Sequence, residues 1–464
     1  MTLTETDFSS LNLRADLVSN LASLNYQTMT PIQAQSLPPI LAGKDVIGQG
    51  QTGSGKTAAF GLGLLGKLDV KRFRIQSLVL CPTRELADQV AKEIRRLARS
   101  VHNIKVLTLC GGSPFGPQIG SLEHGAHIIV GTPGRIEEHV RKGTLKLADV
   151  NMLVLDEADR MLEMGFAPAL DAIIEQVPPQ RQTLLFSATF PGAIQSISKR
   201  IMNAPVMVQV ASTHDHTSIE QHFYKVEGKK HRLRALQLLL MHYRPESALV
   251  FCNTKRDTQD VADALVAHGF SALALHGDLE QRDRDQTLVR FANHSARVLV
   301  ATDVAARGLD IDDLDAVVNF HIAHDSQIHL HRIGRTGRAG SKGIACSLYG
   351  EEDVHRVATV EANVDPILDS EELPPVNLLD QPAPKPSMAT LQIDGGKKQK
   401  LRAGDILGAL TANKALTGKQ VGKISLFDHW AFVAVNRDSL QMALRTLGSG
   451  KLKGRTFRVR LIAD

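Results

Sequence analysis

Two stretches of this chain, 171 residues apart, carry the same design. LVLCPTRELADQVAKEIRRLA, containing Cys81, and LVFCNTKRDTQDVADALVAHG, containing Cys252, each read as a short apolar strand, a polar turn and an amphipathic helix. IIVGTPGR and VLVATDVAARG pair Thr132 with Thr302 at an offset of 170, and LTLCGG pairs with LALHGD at 166. A near-constant offset across three strand-and-loop matches points to a duplicated α/β unit. Apolar strands that alternate with helices imply parallel sheets, with functional loops at the strand C-terminal ends.

A chain of 464 residues has room for such a pair and more. The first lobe is expected over 1–207, a connection over 208–219 and the second lobe over 220–362. Residues 363–387 hold six prolines and five acids against one lysine, a composition typical of a linker. Hydrophobic periodicity resumes over 388–464 and reads βαββαβ: TLQID, a helix through ILGAL, KISLF, WAFVAV, a helix through ALRTL, and FRVRLI. These last 77 residues carry 14 Lys and Arg against 5 Asp and Glu, while residues 1–362 balance to zero. The excess positive charge is therefore local, as it would be for a phosphate-backbone partner or for a lysine-rich surface. There is no apolar run long enough to span a membrane, no basic-then-apolar leader and no Cys-x-x-Cys pair, which favours reduced thiols and a cytoplasmic protein.

Only the first copy holds Gly50-Gln51-Thr52-Gly53-Ser54-Gly55-Lys56-Thr57, between a strand-like and a helix-like segment. That is the context of a phosphate-binding loop: glycines let backbone N–H groups approach the phosphates, Lys56 neutralises charge and Thr57 offers a hydroxyl to Mg2+. MLVLDEAD ends a second buried strand in Asp156 and Glu157. A carboxylate there suits the metal, and its neighbour suits the activation of water. Asp156 is assigned to the metal and Glu157 to the base.

Gln33 within NYQTMTPIQ, Gly50–Thr57, PTREL, TPGR, DEAD, SAT, TDVAARGLD and HRIGRTGR stand in the order of the DEAD-box helicase motifs, and the chain resembles that family over about residues 8–340. The resemblance implies two tandem RecA-like lobes and ATP as cofactor. It also implies adenine contacts from Gln33 and Phe8, a ribose contact from Asp310, and γ-phosphate contacts from Arg335 and Arg338. An RNA strand would be gripped by Thr83, Arg84, Gly112, Thr132 and Arg135 in lobe 1 and by His276, Gly277 and Thr302 in lobe 2.

The C-terminal βαββαβ segment resembles an RNA-recognition motif. Trp430 and Phe432 match its central aromatic positions, unless one of them serves the core. Gln392 stands where an aromatic is usual, which shifts the weight to Lys397, Lys398, Lys451 and Lys453. A DEAD-box core with this appendage is similar to the bacterial DbpA subfamily. That likeness implies local RNA unwinding in assembly of the large ribosomal subunit, on 23S ribosomal RNA, through a structured hairpin with an adjacent duplex. It implies no membrane and no obligatory protein partner.

Overall fold

The computed structural model describes residues 7–51, 53–210, 219–306, 313–337, 342–361, 370–412 and 416–462. The chain divides into two compact units, one built on lobe 1 and the other on lobe 2 with the C-terminal domain. Among the described residues no helix is long and apolar enough to cross a membrane.

Lobe 1 contains β1 (Val46–Gln49), β2 (Ser77–Leu80), β3 (Val106–Leu109), β4 (Ile128–Gly131), β5 (Met152–Leu155), β6 (Gln182–Ser187) and β7 (Val206–Gln209). They form one sheet in the order β3-β4-β2-β5-β6-β1-β7, with every pairing parallel. Val79, Val130, Val154 and Leu184 join the core on one face, while Leu78, Leu80, Leu153 and Leu185 join the core on the other. Burial on both faces explains why these strands read as unbroken apolar runs.

Lobe 2 contains β8 (Ile219–Lys225), β9 (Ala248–Cys252), β10 (Ala272–Leu275), β11 (Val298–Thr302), β12 (Ala316–Asn319) and β13 (Gly343–Tyr349). Their order is β10-β11-β9-β12-β13-β8, again all parallel. Setting β8 against β1 and β9–β13 against β2–β6 matches the two orders strand for strand except for β7, which lobe 1 adds beside β1, so the sequence repeat is a repeat of topology. The lobes differ where it matters chemically. Six residues separate β1 from the helix Lys56–Lys67, but two separate β8 from the helix Gly228–Tyr243. A two-residue connection is too short to wrap a phosphate.

The C-terminal domain runs β14 (Met388–Ile393), helix Ala403–Thr411, β15 (Val421–Leu426), β16 (Ala431–Asn436), helix Leu440–Ser449 and β17 (Val459–Leu461). The antiparallel sheet has the order β15-β16-β14-β17. Leu391, Ile393, Val433 and Val435 face the two helices and build the core. By strand alternation Thr390, Gln392, Phe432 and Ala434 point the other way, yet they are buried as well. Thr390 faces lobe 2: Asn293 Nδ2 donates to Thr390 Oγ1 at 2.9 Å, and the Ser295 hydroxyl shares a hydrogen bond with it at 2.5 Å.

The acidic, proline-rich segment departs from its linker-like composition. From residue 370 onward it lies along lobe 2, where Leu373, Leu378, Leu379 and Ala383 pack on the core. Glu371 pairs in parallel with Tyr224 of β8, and its N–H donates to the Phe223 carbonyl at 2.8 Å. β8 is the edge of its sheet, and this strap covers part of the open edge.

Candidate nucleotide site and RNA surfaces

At the C-terminal end of β1 the loop turns back over the strand. Gly50 N–H donates to the Ser187 carbonyl at 3.1 Å, and Lys56, buried at the start of its helix, donates from Nζ to the Gly50 and Gln51 carbonyls. Gly55 sits at φ +94, and a Cβ there would meet Gln33 Nε2 at 2.5 Å, so only glycine fits. Gln33 is itself a brace: its Oε1 accepts from Thr30 N at 2.9 Å and its Nε2 donates to the Gly55 carbonyl at 3.1 Å. Thr30 Oγ1 reaches the Ser54 carbonyl at 2.7 Å. Phe8 is buried in the same core, edge-on to Tyr26 at 6.0 Å. Gly53 has φ +83, and Thr57 is half-buried in the first helical turn. Thr52 lies outside the described residues.

β5 delivers Asp156 beside this loop. Its carboxyl is 3% exposed, and burial, reinforced by the Glu157 charge and opposed by Lys56, pushes its pKa up to about 7. The next residue, Glu157, adopts a left-handed backbone (φ 50, ψ 52) and starts the helix Ala158–Glu163. Non-glycine residues in that region are uncommon and gather at functional turns. Asp159 then ties the strand end to β6: its Oδ2 accepts from Thr189 N at 3.0 Å and from Thr189 Oγ1 at 2.8 Å. The loops after β1, β5 and β6 thus form one hydrogen-bonded group.

The lobe 1 residues expected at RNA gather at the ends of β2, β3 and β4. Thr83 caps the helix Arg84–Leu97 by accepting from Leu86 N. Arg84 lies over the Gly111-Gly112 turn so closely that a Cβ on Gly112, at φ +77, would fall 1.7 Å from its Nη1. Thr132 is buried in front of the helix Pro133–Arg141, which carries Arg135. In lobe 2, His276 and Gly277 follow β10, and Thr302 ends β11. His276 Nε2 lies 3.1 Å from Gln259 Oε1, and Thr302 Oγ1 accepts from Ala305 N at 3.3 Å. Thr254, after β9, caps its helix by accepting from Asp257 N, as Thr83 does in lobe 1. The sequence reasoning passed over Thr254, although the repeat aligns it with Thr83.

Arg335 is half-buried in the turn after the helix Ser326–Ile333, whereas Asp310 and Arg338 lie outside the described residues. The first arginine of that motif has a different task. Arg332 is 1% exposed and makes five hydrogen bonds: two to Asp303 at 2.7 and 2.8 Å, and one each to Asn319, His321 and Asn253. With every guanidinium donor used, it is a structural hub.

In the C-terminal domain the basic loops adjoin. Lys453 Nζ donates to the Lys400 carbonyl at 2.7 Å, which sets exposed Lys451 and Lys453 beside exposed Lys397 and Lys398. A Cβ on Gly396 would fall 2.2 Å from the Phe427 carbonyl, and Lys397 N–H donates to that oxygen at 2.8 Å. Of the two aromatics, Phe432 is buried at 1% exposure, while Trp430 is half-buried. The Arg282 guanidinium of lobe 2 stands 5.4 Å from the Trp430 ring centre, and Phe427 stacks on that ring at 6.1 Å.

Residues 30–197 match the DEAD/DEAH box helicase family, 229–340 the helicase conserved C-terminal domain and 390–461 the DbpA RNA binding domain. With all three in this order, the chain belongs to the DEAD-box ATP-dependent RNA helicases, in the DbpA subfamily. It is 56% identical over 458 residues to the ATP-dependent RNA helicase DbpA of Escherichia coli, covering 98% of this chain and 100% of that protein. It is 44% identical to the helicase CshA of Geobacillus kaustophilus, over 77% of this chain and 76% of that one. Among solved structures, a single-substitution variant of S. cerevisiae Dbp5 bound to RNA and ADP BeF3 is 27% identical with TM-score 0.70, covering 81% of this chain and 97% of that chain. Mss116p bound to ssRNA and AMP-PNP is 25% identical with TM-score 0.72, over 82% of each chain.

Proposed function

We propose that this chain is an RNA-dependent ATPase that unwinds RNA locally in the cytoplasm during assembly of the large ribosomal subunit, directed to 23S ribosomal RNA by its C-terminal domain. The observation that carries this reading is the ridge of exposed lysines from two adjoining loops, Lys397 and Lys398 with Lys451 and Lys453, in a domain whose sheet face is turned to lobe 2. A lysine ridge suits the backbone of a folded hairpin, because it contacts phosphates without opening the stem. End-to-end likeness to a relative named DbpA adds support.

In the catalytic core, the donors of the β1 loop and Lys56 bind the triphosphate, with Gln33 and Phe8 on the adenine side and Asp310 at the ribose. Thr57 and Asp156 would hold Mg2+, which lowers the repulsion between phosphate oxygens and an incoming nucleophile. They fit that ion: a buried carboxylate with raised proton affinity gains from a cation, and among the described residues no cluster of three His, Cys, Asp or Glu offers a dedicated cage. Magnesium characteristically takes one or two protein oxygens alongside phosphate and water. Glu157 orients the attacking water and takes its proton. Arg335 and Arg338 stabilise the charge on the transferred phosphoryl group.

The test is to replace Lys397, Lys398, Lys451 and Lys453 together with alanine. ATPase stimulation by a ribosomal hairpin linked to a duplex should fall to the level given by random RNA, which should itself change little. Undiminished preference for the hairpin would refute the targeting.

A further inference from the structure

Lobe 1 contains a buried polar chain that the ATP site does not use. Its hub is Gln118, 8% exposed, on the helix Phe115–Glu123. Its Oε1 accepts from Arg135 Nη1 at 2.9 Å and lies 2.9 Å from His139 Nε2. Its Nε2 donates to the Cys110 carbonyl at 2.9 Å, next to Gly111 and Gly112. This amide cannot be turned over, because its NH2 group would then face the Arg135 guanidinium and its oxygen the Cys110 carbonyl. Arg135 and His139 lie four apart on the helix Pro133–Arg141, so both reach Gln118 from one face.

His139 is fully buried, its ring stacked on Phe115 at 4.2 Å and its Nδ1 2.8 Å from Thr144 Oγ1. Because Gln118 presents an acceptor, the ring carries its proton on Nε2. Burial, aided by the nearby Arg135 charge, holds its pKa below the ordinary histidine value and keeps the ring neutral. Arg135 is further fixed by the Ser113 carbonyl at 3.0 Å, by Glu138 at 3.2 Å and by the Phe115 ring at 5.5 Å. These bonds use Nη1 and Nε; among the described residues Nη2 makes none.

We infer that Gln118, backed by His139 and Thr144, is a positioning residue for RNA: one amide sets the Arg135 guanidinium and the Gly111-Gly112 turn in mutual register, so that both meet the same strand. The inference rests on the reading that Arg135 touches RNA, and it adds the group that aims it. A guanidinium with freely rotating bonds would lose entropy on each contact, whereas one held through Nη1 offers Nη2 to a phosphate already oriented.

The experiment measures RNA-stimulated ATPase activity of the full chain against RNA concentration for Gln118→Met, Arg135→Ala and the double variant, with melting temperatures alongside. Gln118→Met keeps length and volume but neither donates nor accepts through an amide. It should raise the half-saturating RNA concentration by roughly tenfold, the size of a lost hydrogen bond to a charged group. The KM for ATP and kcat at saturating RNA should stay near the original values. In the Arg135→Ala background it should add little, because the group it aims is gone. If Arg135→Ala itself leaves RNA affinity unchanged, the RNA reading of that surface fails. If Arg135→Ala weakens RNA and Gln118→Met does not, the inference alone fails. Equal effects of Gln118→Met with and without Arg135 would also overturn it, since they indicate a general loss of fold. Should Gln118→Met not fold, Thr144→Val loosens only the far end of the chain. An unchanged half-saturating RNA concentration in that variant would overturn the inference.

Discussion

Asp156→Asn should stabilise the nucleotide-free protein at alkaline pH while disabling it. The carboxyl is almost fully enclosed and its pKa is pushed up from 3.8 to about 7, chiefly by burial and next by Glu157. A folded-state pKa above the unfolded value means that the folded state binds the proton more tightly. Stability therefore falls as pH rises from about 4 to about 7 and is flat beyond. The full shift of about three units corresponds to roughly 4 kcal/mol of penalty at pH 8. Asparagine keeps the shape and one acceptor without the charge. The stability of Asp156→Asn minus that of the original chain should therefore grow by about 2 kcal/mol between pH 5.5 and pH 8. The Lys56 charge already enters this balance: it opposes the rise and acts only where Asp156 is ionised, so the slope with pH is the diagnostic quantity. The assay is denaturant unfolding followed at lobe 1, across that pH range, in the presence of a chelator. A difference independent of pH, or one that shrinks as pH rises, would refute the idea that a desolvated charge sits at this strand end. With Mg-ATP the order should invert, because only the original chain gains from the cation.

Glu157→Gln should retain ATP and RNA binding but lose at least about a hundredfold in hydrolysis, the usual scale for removing a general base; near-normal turnover would contradict the role. Arg332→Ala should remove about 3–5 kcal/mol from lobe 2, because it breaks the pair with Asp303 and three further hydrogen bonds of a buried guanidinium, whereas Arg335→Ala should abolish hydrolysis. An unchanged melting temperature for Arg332→Ala would refute the hub, and undiminished hydrolysis by Arg335→Ala would refute the phosphate contact. Gly112→Ala should cost about 1 kcal/mol in backbone strain and displace Arg84. RNA affinity should drop with ATP affinity intact, which a binding titration of each ligand would check.

The duplication was legible because parallel strands, buried on both faces, leave unbroken apolar runs that align by eye at a fixed offset. The six-strand order shared by the two sheets follows from that. The phosphate loop was legible because its chemistry needs a fixed spacing. Four things were not legible, and all depend on what comes to lie against what. Composition marks 363–387 as spacer, and nothing local shows that Leu373, Leu378 and Leu379 find a place on lobe 2. Alternation puts Thr390, Gln392 and Phe432 on one face without saying what covers it. Periodicity cannot distinguish Arg332, with all its donors used, from Arg335 three residues later. Gln118 likewise looks like any helical glutamine until Arg135 and His139 arrive from another helix.

The strap over β8 bears on how such enzymes can be recombined. Domain exchange normally treats a proline-rich, acidic stretch as a neutral place to cut and join. Here residues 370–387 belong structurally to lobe 2: Glu371 meets Tyr224 and His222, and Arg297 Nη1 donates to the Lys385 carbonyl. A graft that replaces this stretch with a flexible spacer would uncover a sheet edge and the apolar surface beneath the leucines. Retargeting the helicase to another RNA therefore calls for keeping the native strap. The incoming domain would also need a hydroxyl at the position of Thr390, to meet Asn293 and Ser295.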